Sequence, residues 1–166
     1  GAPRWPVRVG GSSLVGNQMI KPSHVGLCTP DLDATLRFFV DGLGFEAADG
    51  WDLDSEALPD LPAALEVEME ADRPLRVRSQ MVQRDGFAVE LLGYESPPPS
   101  GTPSQSRGAI GLTHLAFWVD DLDACVATAV AAGGTVVEST RGNPGVELVF
   151  LTDPAGVRIE MMELPS

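Results

Sequence analysis

The sequence predicts an α+β fold built from two tandem βαβββ modules, and three observations carry that prediction. The segment His24-Val-Gly-Leu-Cys-Thr-Pro-Asp-Leu-Asp-Ala34 returns ninety residues later as His114-Leu-Ala-Phe-Trp-Val-Asp-Asp-Leu-Asp-Ala124, with both histidines and both Asp-Leu-Asp-Ala tetrapeptides in register. Towards the end of each half, Gly86-Phe-Ala-Val-Glu90 returns seventy residues later as Gly156-Val-Arg-Ile-Glu160. Between the halves, Ser96-Pro-Pro-Pro-Ser-Gly-Thr-Pro103 has the composition of a linker, because Pro, Gly and Ser interrupt regular structure. A repeat of this period marks a duplicated supersecondary unit.

The elements follow in chain order. Residues 1–18 contain no acid and no sustained periodicity, so they read as a disordered arm or a vector-derived remnant. The first module spans 19–95. It opens with an apolar strand over 23–28, and Asp31 then caps a helix over about 31–42. Leu32, Leu36, Phe39 and Val40 form that helix's apolar stripe, and Gly42 and Gly44 end it. A short strand at 45–47 follows, then a hairpin of 75–84 and 87–94 turning at Asp85-Gly86. The fall in offset from ninety to seventy leaves about twenty extra residues in this half, placed most simply in the acidic insertion 51–73. After the linker 96–108, the second module (109–166) repeats the order. It has a strand over 113–119 and a helix over about 121–132, with Leu122, Val126, Ala129 and Val130 on one stripe and Gly133-Gly134 as its stop. A strand over 135–138 precedes a hairpin of 146–152 and 157–164 across Asp153-Pro-Ala-Gly156.

Composition narrows the functional classes. The 166 residues carry 24 acids against 11 Lys and Arg, a net charge of −13. Nucleic acid and anionic membrane surfaces both require clustered cations, so neither is an expected partner. No apolar run reaches the roughly 18–20 residues that span a bilayer, and no signal-peptide pattern opens the chain; a cytoplasmic location is expected. Cys28 and Cys125 lie too far apart in sequence for zinc-ligand spacing and form no disulfide framework.

The chemistry concentrates in four residues. His24 and His114, the chain's two histidines, begin the first strand of each module; Glu90 and Glu160 sit within the last strand of each, among Val, Leu, Ile and Met. A carboxylate inside an apolar strand is costly to bury without a neutralising partner. Two imidazoles and two carboxylates at pseudo-symmetric positions match the needs of one divalent cation, whose charge two carboxylates cancel. Strand alternation then puts His24 on a face with Gly26 and Cys28, and His114 on a face with Ala116 and Trp118. Cys28 is expected as a buried packing residue, and Trp51, Trp118, Phe87 and Phe117 mostly as core.

Paired βαβββ modules with His24, Glu90, His114-Leu-Ala-Phe-Trp-Val-Asp-Asp-Leu-Asp and Asp153-Pro-Ala-Gly-Val-Arg-Ile-Glu160 resemble the vicinal oxygen chelate superfamily over about residues 20–164. That superfamily holds glyoxalase I, methylmalonyl-CoA epimerase, extradiol dioxygenases, fosfomycin-resistance enzymes and bleomycin-binding proteins. The resemblance implies a curved mixed sheet around a metal-binding cleft, with His24, Glu90, His114 and Glu160 as ligands of one divalent ion: Zn, Ni, Co, Mn or Fe. It also implies a small-molecule substrate and a homodimer. Four protein ligands leave an octahedral ion two positions for neighbouring substrate oxygens. The implied reaction is proton abstraction next to a carbonyl, with Glu160 as principal base and Glu90 as its partner. An epimerase or isomerase acting on a keto-polyol or acyl-thioester ranks first, ahead of a glyoxalase I-like lyase, an Fe(II) extradiol-type dioxygenase and a non-catalytic antibiotic binder. The insertion 51–73 reads as a broken surface helix, with a lid as the alternative; Glu66, Glu68 and Glu70 continue its charge. Arg76, Arg78, Arg84 and Gln83 are weaker pocket candidates.

Overall fold

The computed structural model of the chain describes residues 13–15, 18–58, 60, 62, 64–142 and 145–164. Most of the N-terminal segment set aside above, residues 1–12 and 16–17, lies outside them; β1 (Ser13–Val15) and β2 (Gln18–Ile20) pair as a small antiparallel ladder.

The first module comprises β3 (Val25–Thr29), α1 (Leu32–Arg37), β4 (Glu46–Asp54), α2 (Ala64–Glu68), β5 (Arg76–Arg84) and β6 (Phe87–Ser96). Its sheet runs β3-β6-β5-β4, with β3 parallel to β6 and the other pairs antiparallel. The second module comprises β7 (Leu115–Val119), α3 (Leu122–Ala131), β8 (Thr135–Gly142), β9 (Leu148–Thr152) and β10 (Arg158–Glu163). Its sheet repeats the topology as β7-β10-β9-β8, with β7 parallel to β10. The duplicated α+β architecture is thus present, and both histidine-led strands, β3 and β7, lie at sheet edges.

The local reasons match the sequence. Asp31 and Asp121 take extended backbone, and each side chain accepts the amide of Ala34 or Ala124 at 2.9 Å, a cap worth about 1 kcal/mol. α1 continues into a π-helical turn, Phe38–Gly42, whose wider winding buries both Phe38 and Phe39 completely. At the β5–β6 turn, Asp85 and Gly86 both take positive φ (50° and 80°), as a two-residue hairpin loop with the right twist requires.

The insertion departs from expectation. Instead of ending near 47, β4 runs to Asp54, and the surface helix shrinks to the five residues of α2. Asp52 and Asp54 face Arg78 and Arg76 directly across the ladder, at 3.4 and 3.5 Å, so opposite charges carry β4 through an acidic run that strand propensity disfavours. The return is pinned where Ser55 and Leu75 exchange hydrogen bonds, and Tyr94 donates to the Met69 carbonyl over α2.

One core spans both modules. Each sheet packs one face on the helices: Leu27, Val89 and Leu91 in the first, Leu115, Ile159 and Met161 in the second. The helical segments meet at glycines. A Cβ on Gly42 would lie 3.0 Å from that of Ala132, and one on Gly134 would lie 2.8 Å from Phe38. Phe45, Phe87 and Phe117 close one end of the junction edge-to-face, with ring centroids 5.9–6.4 Å apart. By strand alternation, Glu90 and Glu160 point to the opposite, helix-free face of their sheets. Among the described residues, no helix is long and apolar enough to cross a membrane.

Candidate metal and substrate site

In each module the imidazole and the carboxylate meet. Glu90 stands opposite Gly26 on β3, and Glu160 opposite Ala116 on β7, each one strand in from the edge that its histidine begins. His24 Nε2 lies 3.4 Å from Glu90 Oε2, and His114 Nε2 lies 3.3 Å from Glu160 Oε2. In both, the other ring nitrogen is held by the hydroxyl one residue earlier: Ser23 Oγ is 3.0 Å from His24 Nδ1, and Thr113 Oγ1 is 2.7 Å from His114 Nδ1. That contact orients each Nε2 towards its carboxylate. The sequence carried this signal, since Ser23 and Thr113 occur at the same ninety-residue offset as the histidines.

The two carboxylates are held differently. Glu90 accepts from Ser79 Oγ at 2.7 Å. Glu160 is only 6% exposed and takes an ion pair from Arg107, a residue of the linker with no counterpart in either module. The guanidinium carbons of Arg107 and Arg158 each lie 4.5 Å from the centroid of Phe150, whose ring in turn meets His114 edge-to-face at 5.2 Å. Sequence reasoning missed Arg107 because the repeat, which identified the two histidines and two glutamates, says nothing about a residue outside it.

The donor chemistry suits a divalent ion: one imidazole nitrogen and one carboxylate oxygen converge in each module. Within one chain these remain two separate His–Glu pairs. Among the described residues, no group of three or more His, Cys, Asp or Glu side chains gathers where it could hold a metal ion.

Other expectations are sorted by the faces. Cys28 is exposed rather than a buried packing residue, because it lies on the open face two residues beyond Gly26; its thiol pKa is nonetheless raised, chiefly by partial burial. Trp51 and Trp118 are also exposed, at 40% and 52%, and not core. Register places Trp51 on the face of Ser79 and Glu90, and Trp118 on that of Glu160. Phe87 is exposed at the module junction, and Phe117 packs against the core as expected. Arg76 and Arg78 are occupied by Asp54, Glu56, Asp52 and Asp33, while Arg84 donates to the Leu43 carbonyl. Gln83 shares the face parity of Glu90 but lines a separate hollow with Glu46 and Arg84. Glu66 pairs with Arg73, and the Glu66–Glu70 stretch lies on and after α2, reached from the Glu90 face by Tyr94, which donates to the Met69 carbonyl. A crevice of about 380 Å³ runs between β3, the linker and β7, walled by Cys28, Pro99, Ser104, His114 and Arg158. A larger groove of about 930 Å³ at Phe45, Phe87, Phe117 and Trp118 includes none of the four predicted ligands.

Comparison with known proteins agrees with this architecture. The profile of the Glyoxalase/Bleomycin resistance protein/Dioxygenase superfamily matches residues 21–161. The chain is 29% identical over 150 residues to the uncharacterised protein YaeR of Escherichia coli, covering 84% of this chain and 93% of that protein. It is also 29% identical over 150 residues to a 2-epi-5-epi-valiolone epimerase of an Actinomyces species, covering 86% and 79% respectively. A glyoxalase family protein from Bacillus cereus superposes with a TM-score of 0.72 at 19% identity, over 91% of this chain and 98% of that one. Glyoxalase I from Zea mays superposes with a TM-score of 0.60 at 18% identity, over 86% of this chain and 44% of that one, so these two carry the fold alone. With its paired βαβββ modules and a profile match over nearly its whole length, the chain belongs to the glyoxalase/bleomycin resistance protein/dioxygenase superfamily.

Proposed function

We propose that the protein is a divalent-metal-dependent epimerase or isomerase that moves a proton next to a carbonyl of a small keto-polyol or acyl-thioester. The observation that carries the reading is the repeated pair: a hydroxyl-anchored imidazole facing a carboxylate at 3.3–3.4 Å, once per module. The epimerase among its relatives supports the reaction class, as a property of that relative.

Two ligands per module are too few for a structural or catalytic ion, which takes three or four protein donors. Both half-sites lie at unpaired edges, β3 and β7, and an unpaired edge is a template for another strand. Two copies joined edge to edge through β3 and β7 would set His24 and Glu90 of one beside His114 and Glu160 of the other, giving a homodimer with two equivalent sites. When bound, a divalent ion supplies Lewis-acid polarisation of the substrate carbonyl, which makes the neighbouring C–H acidic. The chain's own residues do the rest. Glu160 Oε2 takes the proton from the substrate carbon, and Glu90, carrying a proton on the pseudo-symmetric side, delivers it to the opposite side of that carbon. The exposed Trp51 and Trp118 flank the substrate and displace water from it.

Two measurements test this. Protein purified without a metal-affinity step should contain about one divalent ion per chain, because each dimer forms two sites. Incubation with candidate keto-polyols or acyl-thioesters in deuterated water should place deuterium at the carbon next to the carbonyl. Absence of metal after supplementation, or turnover without exchange into the substrate carbon, would falsify the proposal.

A further inference from the structure

We propose that Arg107 and Arg158 form an anion subsite beside Glu160, so that the substrate is a carbonyl compound bearing a carboxylate or phosphate on a second arm; this rests on the metal-dependent reading above. Both guanidiniums lie 4.5 Å from the Phe150 centroid, the ring that also abuts His114. Bringing two cations together on one ring opposes their mutual repulsion, and the chain has only 11 Lys and Arg to distribute. Among the described residues, Glu160 is the one carboxylate within ion-pair distance of either, and it contacts Arg107 alone. Two positive charges therefore share one negative charge, which His114 also faces.

Arg158 is incompletely satisfied. It sits two residues before Glu160 on the same face of β10; Nη1 donates to the Gln105 carbonyl at 3.1 Å, while Nε is buried with no hydrogen-bond partner among the described residues. A buried donor of a charged group without an acceptor is costly, and in a binding site it points to a ligand oxygen. Arg107 supplies the movable part. It stands on the linker with about half its side chain exposed, so it can turn without disturbing a sheet. An ion at Glu160 competes with Arg107 for the same carboxylate. Once Glu160 is committed to the ion, both guanidiniums are left without a counter-charge. A carboxylate or phosphate is the group whose oxygens match that planar fork. Glu90, held by a neutral serine, has no such neighbour in the first module.

The test uses the zinc-loaded full chain and two probes with the same 2-keto acid head: 2-oxoglutarate, which carries a second carboxylate, and 2-oxobutyrate, which does not. Calorimetry should give about tenfold or greater preference for 2-oxoglutarate. Arg107→Ala and Arg158→Ala should each collapse that preference to about twofold, with Arg107→Lys intermediate because a point charge replaces the fork. Independently of any probe, Arg107→Ala should raise zinc affinity about fivefold in chelator competition, since the competing cation is gone. Circular dichroism establishes that the variants fold, and Arg107→Gln gives a second neutral side chain of similar length. Equal affinity for both probes in zinc-loaded wild type, or a preference that survives all these variants, overturns the anion subsite and leaves the metal reading intact. Failure to take up zinc, or to bind either keto acid, overturns the metal reading and the subsite with it.

Discussion

Ser23 and Thr113 each hold the Nδ1 of the next residue, at 3.0 and 2.7 Å, and so leave Nε2 as the nitrogen that faces the carboxylate. Outer partners of this kind tune ligand orientation, so Ser23→Ala combined with Thr113→Val should weaken metal binding about tenfold without unfolding the protein, read by chelator competition. Glu160→Gln should abolish exchange of the substrate proton while secondary structure persists, because an amide cannot accept that proton. A third residue-scale prediction concerns stability. Asp153 Oδ1 accepts the amides of Ala155 and Val157 at 2.9 and 2.8 Å, but Oδ2 is buried without a partner among the described residues. Burial dominates and pushes its carboxyl above the usual range. The folded state therefore holds that proton more firmly than the unfolded chain. The corresponding stability is complete below about pH 4, the unfolded carboxyl value, and is lost as pH rises through the folded one. Urea melts should show Asp153→Asn gaining on wild type as pH is raised from about 3 to 7. Legibility at this scale followed the repeat: His24, Glu90, His114 and Glu160 were readable because each had a twin. Ser23 and Thr113 had twins too, but serine and threonine are common and differ from each other. Arg107 had none.

At the scale of elements, close helix contact depends on absent side chains. A Cβ on Gly134 would meet Phe38 at 2.8 Å and the Ala129 carbonyl oxygen at 2.9 Å, and the backbone atom cannot step aside. Gly134→Ala should cost about 1–3 kcal/mol by chemical denaturation, from overpacking at the junction of the two modules. The caps, the hairpin turn and the helix stripes were legible because their causes lie within a few residues of each other. The length of β4 was not, because Asp52 and Asp54 are stabilised by Arg78 and Arg76, more than twenty residues away across the ladder. Charge composition alone reads such a run as loop or surface helix. Its strand state depends on register, which local sequence does not reveal.

For the whole molecule, the duplicated βαβββ architecture was legible from the register of two matches, of eleven and five residues, while the way the modules meet was not. They fuse through their helices into one core, and this leaves both His–Glu faces on the outer sides of their sheets. The dimer follows as a prediction with a sharp readout. A first-module variant (His24→Ala with Glu90→Gln) and a second-module variant (His114→Ala with Glu160→Gln) should each be inactive. Unfolded together and refolded as an equal mixture, they should recover about a quarter of wild-type activity: half the dimers are mixed, and each mixed dimer has one intact site of two. Sites closed within single chains would give no recovery.

The linker adds something a duplication cannot. A cavity built from two copies of one module would have ends related by a pseudo-two-fold rotation, and would accept a small substrate either way round. Arg107 comes from the joint between the copies and pairs with Glu160, not with Glu90. It would give such a cavity a head and a tail. On the proposed reaction, a substrate seated by that polarity would meet Glu160 on a fixed side of its reacting carbon, so a single arginine outside the repeat would decide from which side that carbon loses its proton.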